Sequence, residues 1–220
     1  MRDDITSIPI SEVFEPKDGC PVCRLRDMLE ERSVTYITGA AMMEPDVRIE
    51  TNKVGFCRHH YGQMLKVGKK LTIALILQSH LAQLSKDGAA KRKLDKKEQP
   101  GGSCFVCDKL NRNMGQIVQN ICILWDKEKE FRNLYSEQPF ICLEHSRMLV
   151  TAADKILRKN RSEFVKTTVQ LCENQLESLA GDLQHFCDMF DYRNVGSDDW
   201  GTSKDSVERT IEYLTTRGVE

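Results

Sequence analysis

Eight side chains in this 220-residue chain stand at spacings that suit a metal ion. Cys20-Pro21-Val22-Cys23 places two thiols three residues apart, and Cys57-Arg58-His59-His60 places a thiol and an imidazole at the same separation. Cys104-Phe105-Val106-Cys107 and Cys142-Leu143-Glu144-His145 repeat that order further along. Thirty-three residues lie between Cys23 and Cys57, and thirty-four between Cys107 and Cys142. Each pair ending in histidine runs on into Met-Leu, as Met64-Leu65 and Met148-Leu149. Thiolate and imidazole are soft or borderline donors, and four of them around one ion suit tetrahedral zinc. Read in line, Cys20, Cys23, Cys57 and His60 make one site, and Cys104, Cys107, Cys142 and His145 make a second, for two zinc ions per chain. A site closed by four protein ligands leaves no position for substrate, so its role is structural. The first unit offers both His59 and His60. The second offers only His145, three residues after its cysteine, so analogy selects His60 and leaves His59 beside the site.

The rest of the composition favours metal over disulfides. Nine cysteines follow an N-terminus, Met1-Arg2-Asp3-Asp4-Ile5-Thr6, that lacks the apolar core of an export signal. A cytoplasmic, reducing location is expected, where disulfide frameworks are rare. The most apolar stretch, Leu71 to Leu77, is interrupted by Thr72 and falls far short of the roughly 20 residues that span a bilayer, so no membrane partner is expected. A net charge of -1 gives no electrostatic footprint for nucleic acid.

The elements that must position these ligands read as helices. Val165, Val169, Cys172, Leu176, Leu179, Leu183, Phe186 and Phe190 recur at steps of four and three, the period of a heptad seam. Leu110, Met114, Ile117, Ile121, Leu124 and Phe131 follow the same rule with one break at Glu128, and Leu71, Ala74, Leu77, Leu81 and Leu84 follow it over a shorter span. No alternating strand pattern stands out. The expected fold is all-α, a bundle of about six helices built from two metal-knotted helical repeats. The expected spans are Pro21 to Met43, His59 to Ser85, Phe105 to Leu134, Glu144 to Lys159, Ser162 to Tyr192 and Ser203 to Thr216. Residues 1–88 form the first metal-binding unit, 89–103 a linker rich in glycine and lysine, 104–196 the second unit, and 197–220 a C-terminal helix docking on the bundle. The long seam from Val165 to Phe190 closes either within the chain or across a homodimer.

Cys122, Cys172 and Cys187, outside the pairs, read as small core residues. His80 and His185 sit alone within helices, where a histidine is more often hydrogen-bonded than catalytic. Trp125 reads as core, and Trp200 as the anchor of the last helix. No Ser-His-Asp order, phosphate loop or zincin helix is present, so no catalytic residue is assigned.

Across the four motifs Cys20-Pro21-Val22-Cys23, Gly55-Phe56-Cys57-Arg58-His59-His60, Cys104-Phe105-Val106-Cys107 and Cys142-Leu143-Glu144-His145, the chain resembles an uncharacterised bacterial family of unknown function with the same duplicated cysteine pattern. The resemblance covers nearly the whole chain and implies metal sites and helices, and it adds nothing about substrate. The leading reading is a zinc-binding helical module that binds a protein partner or ligand. Two alternatives use the same residues: a thiol redox or redox-switched zinc protein, in which Cys20 has a lowered pKa at a helix start, and a carrier of iron–sulfur clusters.

Overall fold

Proline and glycine set several of the helix boundaries. The computed structural model describes residues 10–88, 104–191 and 199–215, and among these all regular structure is helical. The order is α1 (Ile10–Phe14), α2 (Pro21–Ile37), a 3-10 turn (Ala40–Met43), α3 (Pro45–Val54), α4 (Arg58–Val67), α5 (Lys70–Lys86), α6 (Phe105–Lys127), α7 (Lys129–Ser136), α8 (Leu143–Ile156), α9 (Arg161–Asp188) and α10 (Ser206–Thr215). Pro21 and Pro45 open α2 and α3, at the first-turn position where a missing N–H costs nothing. The expected 89–103 linker lies outside the described residues. No helix among the described residues is long and apolar enough to cross a membrane.

The class is all-α, with ten α-helices among the described residues where about six were expected. The expected helix from His59 to Ser85 is two helices. Gly68, at φ 82, ends α4 in the left-handed conformation, and its N–H bonds back to the Leu65 carbonyl. The expected helix from Phe105 to Leu134 also divides, at Glu128, whose extended backbone separates α6 from α7. That is the residue where the apolar pattern skips. Two short helices, α1 and α3, carry too few apolar residues to show a period.

The chain folds into two compact units, Met1–Leu25 with Gln116–Glu220, and Arg26–Gly115. These limits differ from the expected 1–88 and 104–196.

In the discontinuous unit, Phe14, Trp125, Phe131, Tyr135 and Phe164 pack as an aromatic cluster, with Phe14 and Phe131 centroids 5.1 Å apart and Trp125 and Phe164 at 5.2 Å. The Tyr135 hydroxyl is 2.8 Å from Thr168 Oγ1, which itself donates to the Phe164 carbonyl. A buried phenol and threonine therefore satisfy each other. Helix α9 packs on α8, α7 and α10, so much of the seam closes within the chain. Its period matches expectation, but its first turns are rotated: Phe164, Thr168 and Leu171 are buried, Cys172 and Leu179 stay buried, and Leu176 and Phe190 are exposed. Phe186, Phe190 and Trp200 stack together at the end of α9, holding the approach to α10.

In the Arg26–Gly115 unit, Val34, Ile37, Phe56, Met64, Ile73, Ile76, Phe105 and Val106 form one core. Helix α5 buries Ile73 and Ile76, whereas the stripe expected to be buried turns outward at Leu71 and Leu81. Two residues in the helix sequence separate the phases, and the β-branched pair wins the core position.

Candidate metal centres

All four motifs sit at helix starts. Cys57 and Cys142 are the N-cap residues of α4 and α8, and His60 and His145 lie in the first turns that follow. Cys20 and Cys104 immediately precede α2 and α6, and Cys23 and Cys107 fall in their first turns. Three-residue spacing on a helix start puts both donors on one side, and the unpaired N–H groups and dipole there favour thiolate.

The structure gathers the eight ligands into two tetrads, paired differently from the in-line expectation. Cys20, Cys23, Cys142 and His145 form one, and Cys57, His60, Cys104 and Cys107 form the other. Each tetrad lies within one compact unit. The pairing is nested: the inner tetrad closes inside the loop that the outer one closes. Within the Arg26–Gly115 unit, the Phe105 N–H donates to the Gly55 carbonyl at 3.0 Å, which brings the start of α6 to the approach to Cys57. Val22 and Leu25, flanking Cys23, are fully buried in the same unit as Cys142 and His145.

In the outer tetrad, Cys23 Sγ is 3.6 Å from Cys142 Sγ, and His145 Nδ1 is 3.3 Å from Cys23, 3.9 Å from Cys20 and 3.1 Å from Cys142. In the inner tetrad, Cys57 and Cys107 are 3.9 Å apart, and His60 Nδ1 is 3.1 Å from Cys57, 3.3 Å from Cys104 and 3.5 Å from Cys107. Around one tetrahedral ion, bonds of about 2.3 Å to sulfur and about 2.0 Å to nitrogen set sulfur–sulfur separations of about 3.8 Å and sulfur–nitrogen separations of about 3.5 Å. These separations match that arrangement to within a few tenths of an ångström, and all four donors of each tetrad lie within 4.8 Å of one another. The two histidines of the first motif face different ways. His60 turns Nδ1 to the sulfurs, while His59 is partly exposed with Nε2 3.2 Å from Glu30.

Within each cluster the close sulfurs and imidazole push neighbouring thiols in opposite directions. Burial pushes the Cys104 thiol up, but the adjacent His60 and the backbone hydrogen bonds from Cys107 and Cys57 together bring it down to about 6. Burial, then the Cys104 and Cys57 sulfurs, push Cys107 up to about 12. Burial opposes the charge on His60, yet Cys104 and Glu30 raise it to about 10. In the outer cluster burial likewise opposes ionisation of Cys20, and hydrogen bonds from Cys142, Cys23 and His145 carry it well below the usual thiol range. Cys142 and Cys20 push Cys23 far up, and Cys20 above all raises Cys142 to about 12. An incoming ion must displace these protons, so acid competes with metal and binding weakens as pH falls.

Gly55 holds the inner cluster together. Its carbonyl accepts the Phe105 N–H at 3.0 Å, tying the approach to Cys57 to the start of α6. Its φ is 65°, and an added Cβ would stand 2.8 Å from Nε2 of His80. That ring cannot swing aside freely, because Nδ1–H donates to the Asn52 carbonyl at 2.7 Å. His80 is thus a structural residue. Gly55→Ala is expected to destabilise the Arg26–Gly115 unit by about 2 kcal/mol or more, from left-handed strain plus the clash. Urea unfolding measures it.

The three cysteines outside the tetrads divide. Cys122 and Cys172 are buried, burial raising Cys122 to about 12, and the Cys172 sulfur lies 3.1 Å from the Tyr213 hydroxyl. Cys187 is exposed and not a core residue, because it falls on the outer side of α9. Glu30 is a site residue that the sequence reading missed. It sits in the run Glu30-Glu31-Arg32, which looks like a solvated helix face.

The chain matches a family of unknown function, DUF6062, over residues 1–220. It is 20% identical over 181 residues to the "Uncharacterized 23.9 kDa protein in xynA 3'region" of Caldicellulosiruptor sp. (strain Rt8B.4), covering 81% of this chain and 86% of that protein. No solved structure matches.

Proposed function

The chain belongs to DUF6062, a family of unknown function, and from that premise we propose that it is a helical interaction protein whose two units are each held by one structural zinc ion. The observation that carries the reading is that four protein donors converge at single-ion distances in each tetrad. Such a site has no open coordination position, which suits structure and not catalysis. An iron–sulfur cluster would spread its ligands over different irons, farther apart than two donors on one ion, so the close packing favours zinc.

The interaction half of the proposal rests on α5. Leu71 and Leu81 are 76% and 63% exposed, and Ala74, Leu75 and Ala82 lie exposed on the same stripe. Positions at steps of three and four present one apolar face along the helix, the kind that receives an amphipathic helix from a protein partner.

Protein purified without oxygen is expected to contain two zinc ions per chain and no visible chromophore. Iron with sulfide and a brown colour would replace this reading with electron transfer, and metal-free protein would return the cysteines to thiol chemistry. A Leu71→Glu/Leu81→Glu variant is expected to keep its metal while losing any protein that co-purifies stoichiometrically with the wild type. Equal recovery by both chains would remove α5 as the docking face.

A further inference from the structure

We infer that Glu30 is a positioning residue for the inner metal centre alone, and that the two centres therefore differ in how firmly they hold an ion. The inference rests on the reading of both tetrads as metal sites. His60 commits Nδ1 to the three sulfurs, which leaves Nε2 as the nitrogen that must carry the proton. The ring is 1% exposed, so no solvent can accept that proton. Glu30 Oε1 stands 2.8 Å from His60 Nε2. The same oxygen is 3.2 Å from Nε2 of His59, and the Gln63 side chain also hydrogen-bonds the carboxylate. His59 and His60 lie in the first turn of α4 and Gln63 one turn further on, so that helix grips one acidic side chain reaching over from α2.

A carboxylate behind a ligating imidazole does three things. It selects the tautomer, fixes the plane of the ring, and makes the ligating nitrogen a stronger donor. His60 Nε2 is buried and makes no straight hydrogen bond, and Glu30 Oε1, 2.8 Å away, is the carboxylate oxygen placed to take its proton with a small turn of the side chain. The outer centre lacks the arrangement. Among the described residues, the side-chain partners of His145 are the sulfurs of Cys20, Cys23 and Cys142, with no carboxylate against its other nitrogen.

The test uses the full-length zinc-loaded protein and a chromophoric chelator in excess, without oxygen. Wild type is expected to release one equivalent quickly and one slowly. Glu30→Gln keeps the shape of the side chain and an acceptor oxygen but removes the charge. It is expected to weaken the slow equivalent about 10–100-fold and leave the fast one unchanged. In a Cys23→Ser background, where only the inner centre holds an ion, the single remaining equivalent is expected to show the whole effect. Cobalt(II) substitution gives a readout that folding alone would not move: Glu30→Gln shifts the ligand-field bands of one equivalent only, with helical content unchanged. Equal change at both centres, or none at either, overturns the inference while leaving the metal sites standing. A third equivalent lost on Glu30→Gln or His59→Ala also overturns it, making Glu30, His59 and His60 ligands of another ion. Protein without metal removes the underlying reading instead.

Discussion

A Cys20→Ser/Cys57→Ser double variant is expected to lose both ions, whereas Cys20→Ser/Cys142→Ser is expected to keep one. The two variants remove the same number of thiols and differ only in where the chain pairs them. Cys20 and Cys142 share the outer tetrad, so the second substitution falls on a site already broken. Cys20 and Cys57 belong to different tetrads, and each substitution breaks one. In-line pairing predicts the reverse pattern, since it would put Cys20 and Cys57 on one ion. The effect is large because a structural zinc contributes about 10–16 kcal/mol in small peptide modules, and serine does not replace a thiolate ligand. Metal content should fall from about two to about zero per chain in the first variant and to about one in the second. Elemental analysis reads it directly, and non-additivity within a tetrad follows from the shared ion.

That experiment separates what local sequence can encode from what it cannot. All eight candidate donors were legible because a helix start fixes two side chains three residues apart without help from the rest of the fold. Their partners were not legible. Two in-line pairs at equal distance look like two repeats, yet α6 begins beside Cys57 because Gly55 and Phe105 share a backbone hydrogen bond. The same limit appears in α5. Its leucines and its isoleucines both recur at helical spacing, and only the packed core decides that Ile73 and Ile76 face inward. Glu30 had no local signal at all. Its meaning comes from α4 laying two histidines and a glutamine around it.

Trp125→Ala is expected to cost the discontinuous unit about 3–5 kcal/mol, a large share of the roughly 5–15 kcal/mol that holds a typical domain together. The indole is 1% exposed and meets Tyr135 and Phe164 edge-on, with centroids 5.0 and 5.2 Å away. Deleting it opens a cavity walled by rings that cannot collapse inward. Tyr135 is held by Thr168, and Phe14 is wedged between Phe131 and Tyr135. Trp125→Phe should cost much less, about 1–2 kcal/mol. The phenyl ring fills most of the space, and the buried Nε1, which has no hydrogen-bond partner, leaves with the indole. Urea titrations followed by circular dichroism measure both. The electrostatic influence of Cys20 on Tyr135 shows that this cluster lies close to the outer tetrad. Chelator-accessible zinc should therefore appear at lower urea in Trp125→Ala, and from one equivalent only. Release of both equivalents together would mean that the two units unfold as one cooperative body.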